Sequence, residues 1–329
     1  MKVSVITPVF NAEPFVERAV NSALAERQTA EVILVEDGST DGSLKVCQRL
    51  VEEHESVRLM QHENGKNRGA AASRNLGMTC ATQEYLALLD ADDFFLPGRF
   101  EKAEEIFNEI AVCDGVYGAV GIEFMDGQSE AQWLASPMRN VRMTTMTSEI
   151  SPGDLLRSLL RGRDGRFHID GLVFKKNLLD RSGMMNEKLA SMHEDTDFIF
   201  RLAIAGSLYP GQLSSPVAVR FVHGGNRISA ERSAQKQYSD RLKMHMETYR
   251  WCKRGGHKKE KDLIVNRMVS DCLNAPPPSD TNIKCHYLVK RRQMLSWALT
   301  YPDILVEKNY WKELAVLTVP SWKKRGESK

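Results

Sequence analysis

The chain has 329 residues, 42% apolar and 27% charged, and its 45 Lys and Arg against 43 Asp and Glu leave a formal net charge of +2. That length allows one large domain with a smaller appendage and ample buried core, and the composition is ordinary globular. The near balance of charge excludes nucleic-acid binding driven by bulk charge, and six cysteines with no CxxC pair exclude a zinc-site or redox spacing and fit small core thiols in a reducing compartment.

The N-terminal MKVSVITPVF leads straight into a strand pattern without the layout of a signal peptide. No apolar run approaches the roughly 18 to 20 residues of a spanning helix. The expected location is the cytoplasm, either free or peripheral on the cytoplasmic face of a membrane. Residues 3–7 form a short β-branched run that reads as a buried strand. Pro14 opens a segment with Phe15, Ala19, Val20 and Leu24 at helical spacing. Residues 31–37 are a second strand, 44–51 a helix, 57–61 a third strand, 69–82 an Ala-rich helix and 84–90 a fourth strand. Pro97 opens a further helix through Phe107. Residues 115–124 read as a strand, and a helix begins near Pro152. Residues 167–179 read as a strand entering a short helix, 193–206 as an amphipathic helix with an acidic first turn, and 216–223 as a last strand. Past Gly225 helical segments dominate, interrupted by KRGGHKKEK at 253–261 and by Pro276, Pro277 and Pro278.

Strands alternating with helices imply βαβ units, hence an α/β fold with a Rossmann-like, mostly parallel sheet flanked by helices. Ligands of such sheets sit at the carboxyl ends of the strands. Those ends fall at residues 8–11, 36–41 and 90–93.

Asp90, Ala91, Asp92 and Asp93 place three carboxylates at the end of a buried strand. Crowded carboxylates repel one another and resist burial, so the group fits a hard divalent cation, Mg2+ or Mn2+, with substrate phosphates. A solvated acidic turn capping the next helix fits the short motif as well. Glu36 and Asp37 end the second strand ahead of Gly38, Ser39, Thr40 and Asp41. An acid there can accept hydrogen bonds from a base or a ribose, and the same segment also reads as a turn with an N-cap. Arg74 and Asn75 lie within a helix of small residues and suggest a polar cleft, or a plain surface. Glu194 and Asp195 open a helix, where a carboxylate can act as general base or simply match the helix dipole. His223, before Gly224 and Gly225, is either a metal or diphosphate ligand or a structural histidine.

Taken in order, ITPVFNAEPFVERAVNSAL, VILVEDGSTDGS, ENGKNRGAAASRNLG, YLALLDADDFFLPGRFE, HEDTDFIFRLAIAG and VRFVHGGNRIS resemble the successive motifs of the family 2 glycosyltransferases of GT-A fold. The resemblance covers about residues 1–229 and implies a catalytic domain there, with residues 230–329 as a basic, helical C-terminal extension. It implies inverting, metal-dependent transfer from a nucleotide-sugar donor, UDP-sugar favoured, to a hydroxyl of a growing glycan or lipid-linked saccharide in cell-surface polysaccharide or lipopolysaccharide biosynthesis. By resemblance, Pro8 and Asn11 line the nucleotide site with Glu13 nearby, Asp37 contacts the base, and Arg74 supports that loop. Asp90 and Asp92, flanking Ala91, are the DxD pair. Asp92 and His223 face the metal, and Asp195 is the base with Glu194 beside it. Glu36 departs from the family pattern, where Asp is more usual, but keeps the charge. The segment 162–170, with Arg163, Arg166 and His168, is expected to contribute to the acceptor pocket. In the extension, Trp297, Trp311 and Trp322, followed by Lys323, Lys324 and Arg325, suit either an anionic lipid surface or packing onto the catalytic domain.

A nucleotidyltransferase would need a Gly-rich phosphate loop after the first strand and a dehydrogenase a GxGxxG, and TPVFNAEP has no glycine. A non-catalytic nucleotide-sugar-binding or scaffolding protein on the same fold is the alternative from a different class.

Overall fold

A computed structural model describes residues 1–136, 139–189, 193–225, 233–273 and 294–296. The chain divides into two units, Met1–Glu231 and Arg232–Lys329. The first opens with β1 (Val3–Val9), α1 (Val16–Leu24), β2 (Thr29–Glu36), α2 (Ser43–Glu53), β3 (Val57–Gln61), α3 (Ala70–Cys80) and β4 (Tyr85–Leu88). It continues with β5 (Phe94–Phe95), α4 (Glu101–Glu109), β6 (Gly115–Tyr117), β7 (Ala119–Phe124), α5 (Gly127–Ala135) and β8 (Met143–Thr144). Then follow α6 (Pro152–Arg161), β9 (Leu172–Lys175), α7 (Leu179–Ser182), α8 (Glu194–Ala205), β10 (Leu208–Pro210) and β11 (Pro216–Val222).

The main sheet has seven strands in the order β10-β6-β9-β4-β1-β2-β3. Its pairs are parallel except that β9 runs antiparallel to both β4 and β6. A smaller sheet has the order β5-β11-β7-β8. Alternation along β1 loads both faces of the large sheet, as the two-residue period of a strand requires. Val3, Val5 and Val9 pack with Val16, Ala19 and Val20 of α1 and Leu50 of α2. Ile6 packs on the opposite side with Ala71 and Met78 of α3 and Phe198 and Leu202 of α8. Helices on both faces explain why the strands read as continuous apolar runs.

The expected strand at 115–124 divides at Gly118, whose N–H bonds Gly171 O at 2.8 Å, so β6 joins the large sheet and β7 the small one. A Cβ on Gly171 would lie 2.4 Å from Gly118 O, so only glycine permits this crossing. The helix expected from Pro97 starts instead at Glu101, because Gly98 has φ +81° and a turn closes from Arg99 N to Leu96 O. The segment from Phe167 is a lead-in with a short 3-10 turn at Ile169–Gly171 before β9 begins.

In the second unit α9 (Ala234–Gly255) packs on α10 (Lys258–Leu273), with Tyr249, Cys252, Ile264, Val265 and Met268 buried. Asp271 gathers Arg267 at 3.0 Å, Arg241 at 3.2 Å and His245 at 3.3 Å. No helix among the described residues is long and apolar enough to cross a membrane. Pro276 to Pro278, Trp297, Trp311, Trp322, Lys323, Lys324 and Arg325 lie outside the described residues.

Candidate active site

The parallel core brings the ends of β1, β2 and β4 to one edge. After β1 and β2, side chains bond the two loops together. Asn11, at φ 51°, accepts from Thr40 N–H at 2.8 Å and donates its own N–H to Ser39 Oγ at 3.0 Å. Glu13 accepts from Gly42 N–H at 2.9 Å, while its N–H donates to Asp41 Oδ2 at 3.1 Å. Buried Glu36 accepts from Ser39 N–H and from Gln61 Nε2. Burial alone would raise its pKa, but these hydrogen bonds hold it below the ordinary value. Glutamate in place of aspartate thus reaches both the turn and β3.

Buried Asp37 accepts from Arg68 N–H at 2.7 Å and Gly69 N–H at 2.8 Å. Its carboxylate therefore fastens the loop before α3. Gly38, at φ +74°, lets that loop close down, since a Cβ there would lie 2.7 Å from Gly65 O. Pro8 is half-buried, and Phe10 is 50% exposed beside Asn11. The sequence reading overlooked Phe10. An exposed aromatic ring at the end of a parallel strand is the available signal, and its face can stack on a planar base.

Arg74, expected to brace the Asp37 loop, instead turns its guanidinium to the acidic turn. It is 3% exposed, ion-paired with Asp90, and its Nη1 lies 3.7 Å from Glu194 Oε1. Burial alone would lower its pKa, but Asp90, Glu194 and Asp195 outweigh it and keep the cation charged. One arginine therefore links the strand-end acids to the acids that open α8. His193, at φ 67°, turns the chain into α8. Glu194 is buried and Asp195 is half-buried, its Oδ1 accepting from Thr196 N–H at 2.6 Å. Burial alone would raise the Asp195 pKa, while His168, Arg74 and the Thr196 amide bring it below the ordinary carboxylate range. Asp195 is thus ionised at neutral pH, the form a general base needs.

In the acidic turn Ala91 is buried, and Asp90, Asp92 and Asp93 present oxygens within 4.8 Å of one another. Asp93 is buried and accepts from Phe221 N–H at 2.8 Å, and burial, then Asp170 and Asp92, drive its pKa well above the ordinary value. Asp90 and Asp92 are the open donors, with side chains 27% and 29% exposed. Hard carboxylate oxygens in this number fit Mg2+ or Mn2+. His223 Nε2 lies 3.2 Å from Asp92 Oδ2, and its ring packs on Phe15 with centroids 4.4 Å apart. It is a neighbour of the acidic turn through Asp92 and lies outside the three-carboxylate group.

A second group, Asp90, His168 and Asp170, also brings its ligand atoms within 4.8 Å. Asp170 ends the segment expected at the acceptor pocket, but no motif marks it as a neighbour of the acidic turn. The antiparallel direction of β9 puts its leading end beside the trailing end of β4. Of the expected acceptor cluster, His168 reaches this edge, whereas Arg163 and Arg166 are exposed.

Residues 4–152 match the family described as Glycosyl transferase family 2. The succinoglycan biosynthesis protein ExoU of Rhizobium meliloti is 29% identical over 213 residues, 63% of this chain and 58% of that protein, so the chain spans little more than half of that relative's length. The uncharacterized glycosyltransferase YibD of Escherichia coli is 26% identical over 308 residues, 83% of this chain and 85% of that protein. Among solved structures, S. aureus TarS 1-349 in complex with UDP-GlcNAc superposes with a TM-score of 0.57 at 17% identity, covering 99% of this chain and 92% of that one. That likeness establishes the fold. The six motifs, the edge that joins them and these matches agree: residues 4–152 match Glycosyl transferase family 2, and a GT-A type fold surrounds that segment.

Proposed function

We propose that this chain is an inverting glycosyltransferase that moves a sugar from a nucleoside diphosphate sugar, UDP-sugar favoured, to a hydroxyl of a saccharide or lipid-linked saccharide in cell-surface polysaccharide assembly. The observation that carries this reading is the convergence, through buried Arg74, of the acidic turn on Asp195. A relative named for succinoglycan biosynthesis and a neighbour solved with UDP-GlcNAc support the choice of pathway class and donor class.

In this reading Phe10, Asn11 and the Asp37 loop receive the nucleoside, and Asp90 receives the ribose. Asp92 and Asp90, with His223 alongside, would hold Mg2+ or Mn2+, which when bound neutralises charge on the leaving diphosphate. Asp195 takes the proton of the acceptor hydroxyl, the freed oxygen bonds to the anomeric carbon from the face opposite the leaving diphosphate, and the nucleoside diphosphate departs with the electron pair of the broken bond. Glu194, held beside Arg74, keeps the base anchored to the donor edge.

The test is a thermal-shift panel of nucleoside diphosphate sugars with and without Mn2+. A metal-dependent rise in melting temperature with one donor, growing with its concentration, is the expected result. No rise with any donor in the presence of metal would overturn the reading in favour of a non-catalytic protein on the same fold.

A further inference from the structure

Asp170 is 0% exposed, a fully buried carboxylate outside every motif that the reaction uses. It stands on the 3-10 turn ahead of β9, and β9 lies antiparallel to β4. Its Oδ1 accepts from Asp90 N–H at 3.4 Å, across 80 positions of sequence. That amide is the second after β4 ends at Leu88, following the Leu89 N–H that still bonds Ile6 O of β1 at 3.0 Å, and it begins the acidic turn. The other oxygen, Oδ2, lies 3.3 Å from His168 Nδ1. The Asp170 carbonyl accepts from Arg99 Nη2 at 2.8 Å, and the buried guanidinium of Arg99 lies 5.1 Å from the Phe95 ring centroid and 4.9 Å from that of Phe100. Asp170 is therefore held at its carbonyl by Arg99, while its carboxylate meets the Asp90 amide and the Asp93 side chain, at a turn that also closes from Asp93 N–H to Asp90 O at 3.0 Å.

We infer that Asp170 is a positioning residue for the metal and diphosphate end of the donor site, fixing the acidic turn through the Asp90 amide. The inference rests on the donor reading above. It assigns Asp170 no contact with donor or acceptor. A buried acceptor of this kind is costly to remove, because the part-buried amide it serves loses its side-chain partner. The nucleoside end, held by Asp37, Asn11 and Glu13, is built from other bonds and stays intact when Asp170 changes.

The experiment measures UDP binding to the full-length chain by calorimetry, with and without Mn2+. Asp170→Leu is expected to weaken Mn2+-dependent UDP binding about tenfold while leaving metal-free UDP binding unchanged. Asp170→Asn, which retains an acceptor oxygen for the Asp90 amide, is expected to stay within about threefold of wild type. Should Asp170→Leu fail to fold, Asp170→Ser, too short to reach the amide, carries the same expectation. Metal-dependent binding as tight as wild type in the Leu or Ser variant overturns the inference. Equal loss with and without metal also overturns it, because it marks collapse of the scaffold and no selective effect on the turn. Wild type that binds UDP no better with Mn2+ overturns the donor reading itself, and the inference with it.

Discussion

Replacing Arg74 by Met removes the cation from a site only 3% exposed while keeping most of the side-chain volume. Asp90 loses its ion pair and Glu194, with a side chain 7% exposed, loses the guanidinium 3.7 Å away. Removing one partner of a buried pair costs about 3–5 kcal/mol. Asp90 is partly wet, with its side chain 27% exposed, which points to the lower end, about 3 kcal/mol. In a domain of this size each kcal/mol lowers Tm by about 2–4 °C, so the variant should melt about 6–12 °C below wild type. If the cost comes from carboxylates deprived of their cation, neutralising one should return part of it. Arg74→Met with Glu194→Gln should be about 1–2 kcal/mol more stable than Arg74→Met alone. Scanning calorimetry at neutral pH measures both differences. A single variant that melts within 2 °C of wild type, or a double variant no better than the single, would refute the reasoning.

Asp195→Asn should leave UDP binding near wild type and slow transfer by about 10²- to 10⁴-fold, read as nucleotide release in the presence of donor and acceptor. Near-native turnover would remove Asp195 from the role of base. Glu31 supplies a pH dependence. Burial alone would raise its pKa, but Ser4, Thr82 and Arg58 bring it from 4.5 down to about 2. A depressed carboxyl pKa stabilises the fold above the unfolded value, and the contribution is lost as pH falls from about 4.5 towards about 2. Glu31→Gln should therefore flatten the acid limb of Tm against pH in that window, and an unchanged limb would show that Glu31 does not drive it.

The first four strand-helix units were legible because their periodicities are strong, and β3 spans the same residues that the sequence marks. The divided strand at Gly118 was not legible, because VYGAVGIEF keeps an apolar pattern across the break and only the Gly171 backbone reveals why the chain must change sheets. Strand direction was hidden for the same kind of reason. Nothing in LVFK says that β9 runs against β4, yet that direction is what brings Asp170 to Asp90. The two-residue strands β5 and β8 are too short to show any period. Within the site, residue types announced the chemistry while partners stayed concealed. Asp37 reads as a contact for a base, and its oxygens are found on the amides of Arg68 and Gly69. Arg74 reads as support for that loop, and it is found between Asp90 and Glu194.

β4 has β1 on one side and β9 on the other. The matched family segment ends at residue 152, before β9 begins at Leu172. A fragment cut at the end of that segment would carry β4 as a bare margin, with the N–H and C=O groups that now face Val173, Phe174 and Lys175 turned to solvent. Unpaired strand margins of apolar sequence recruit other chains. This short antiparallel strand thus does two things at once: its leading end carries Asp170 to the donor edge, and its backbone closes the margin of β4 against other chains.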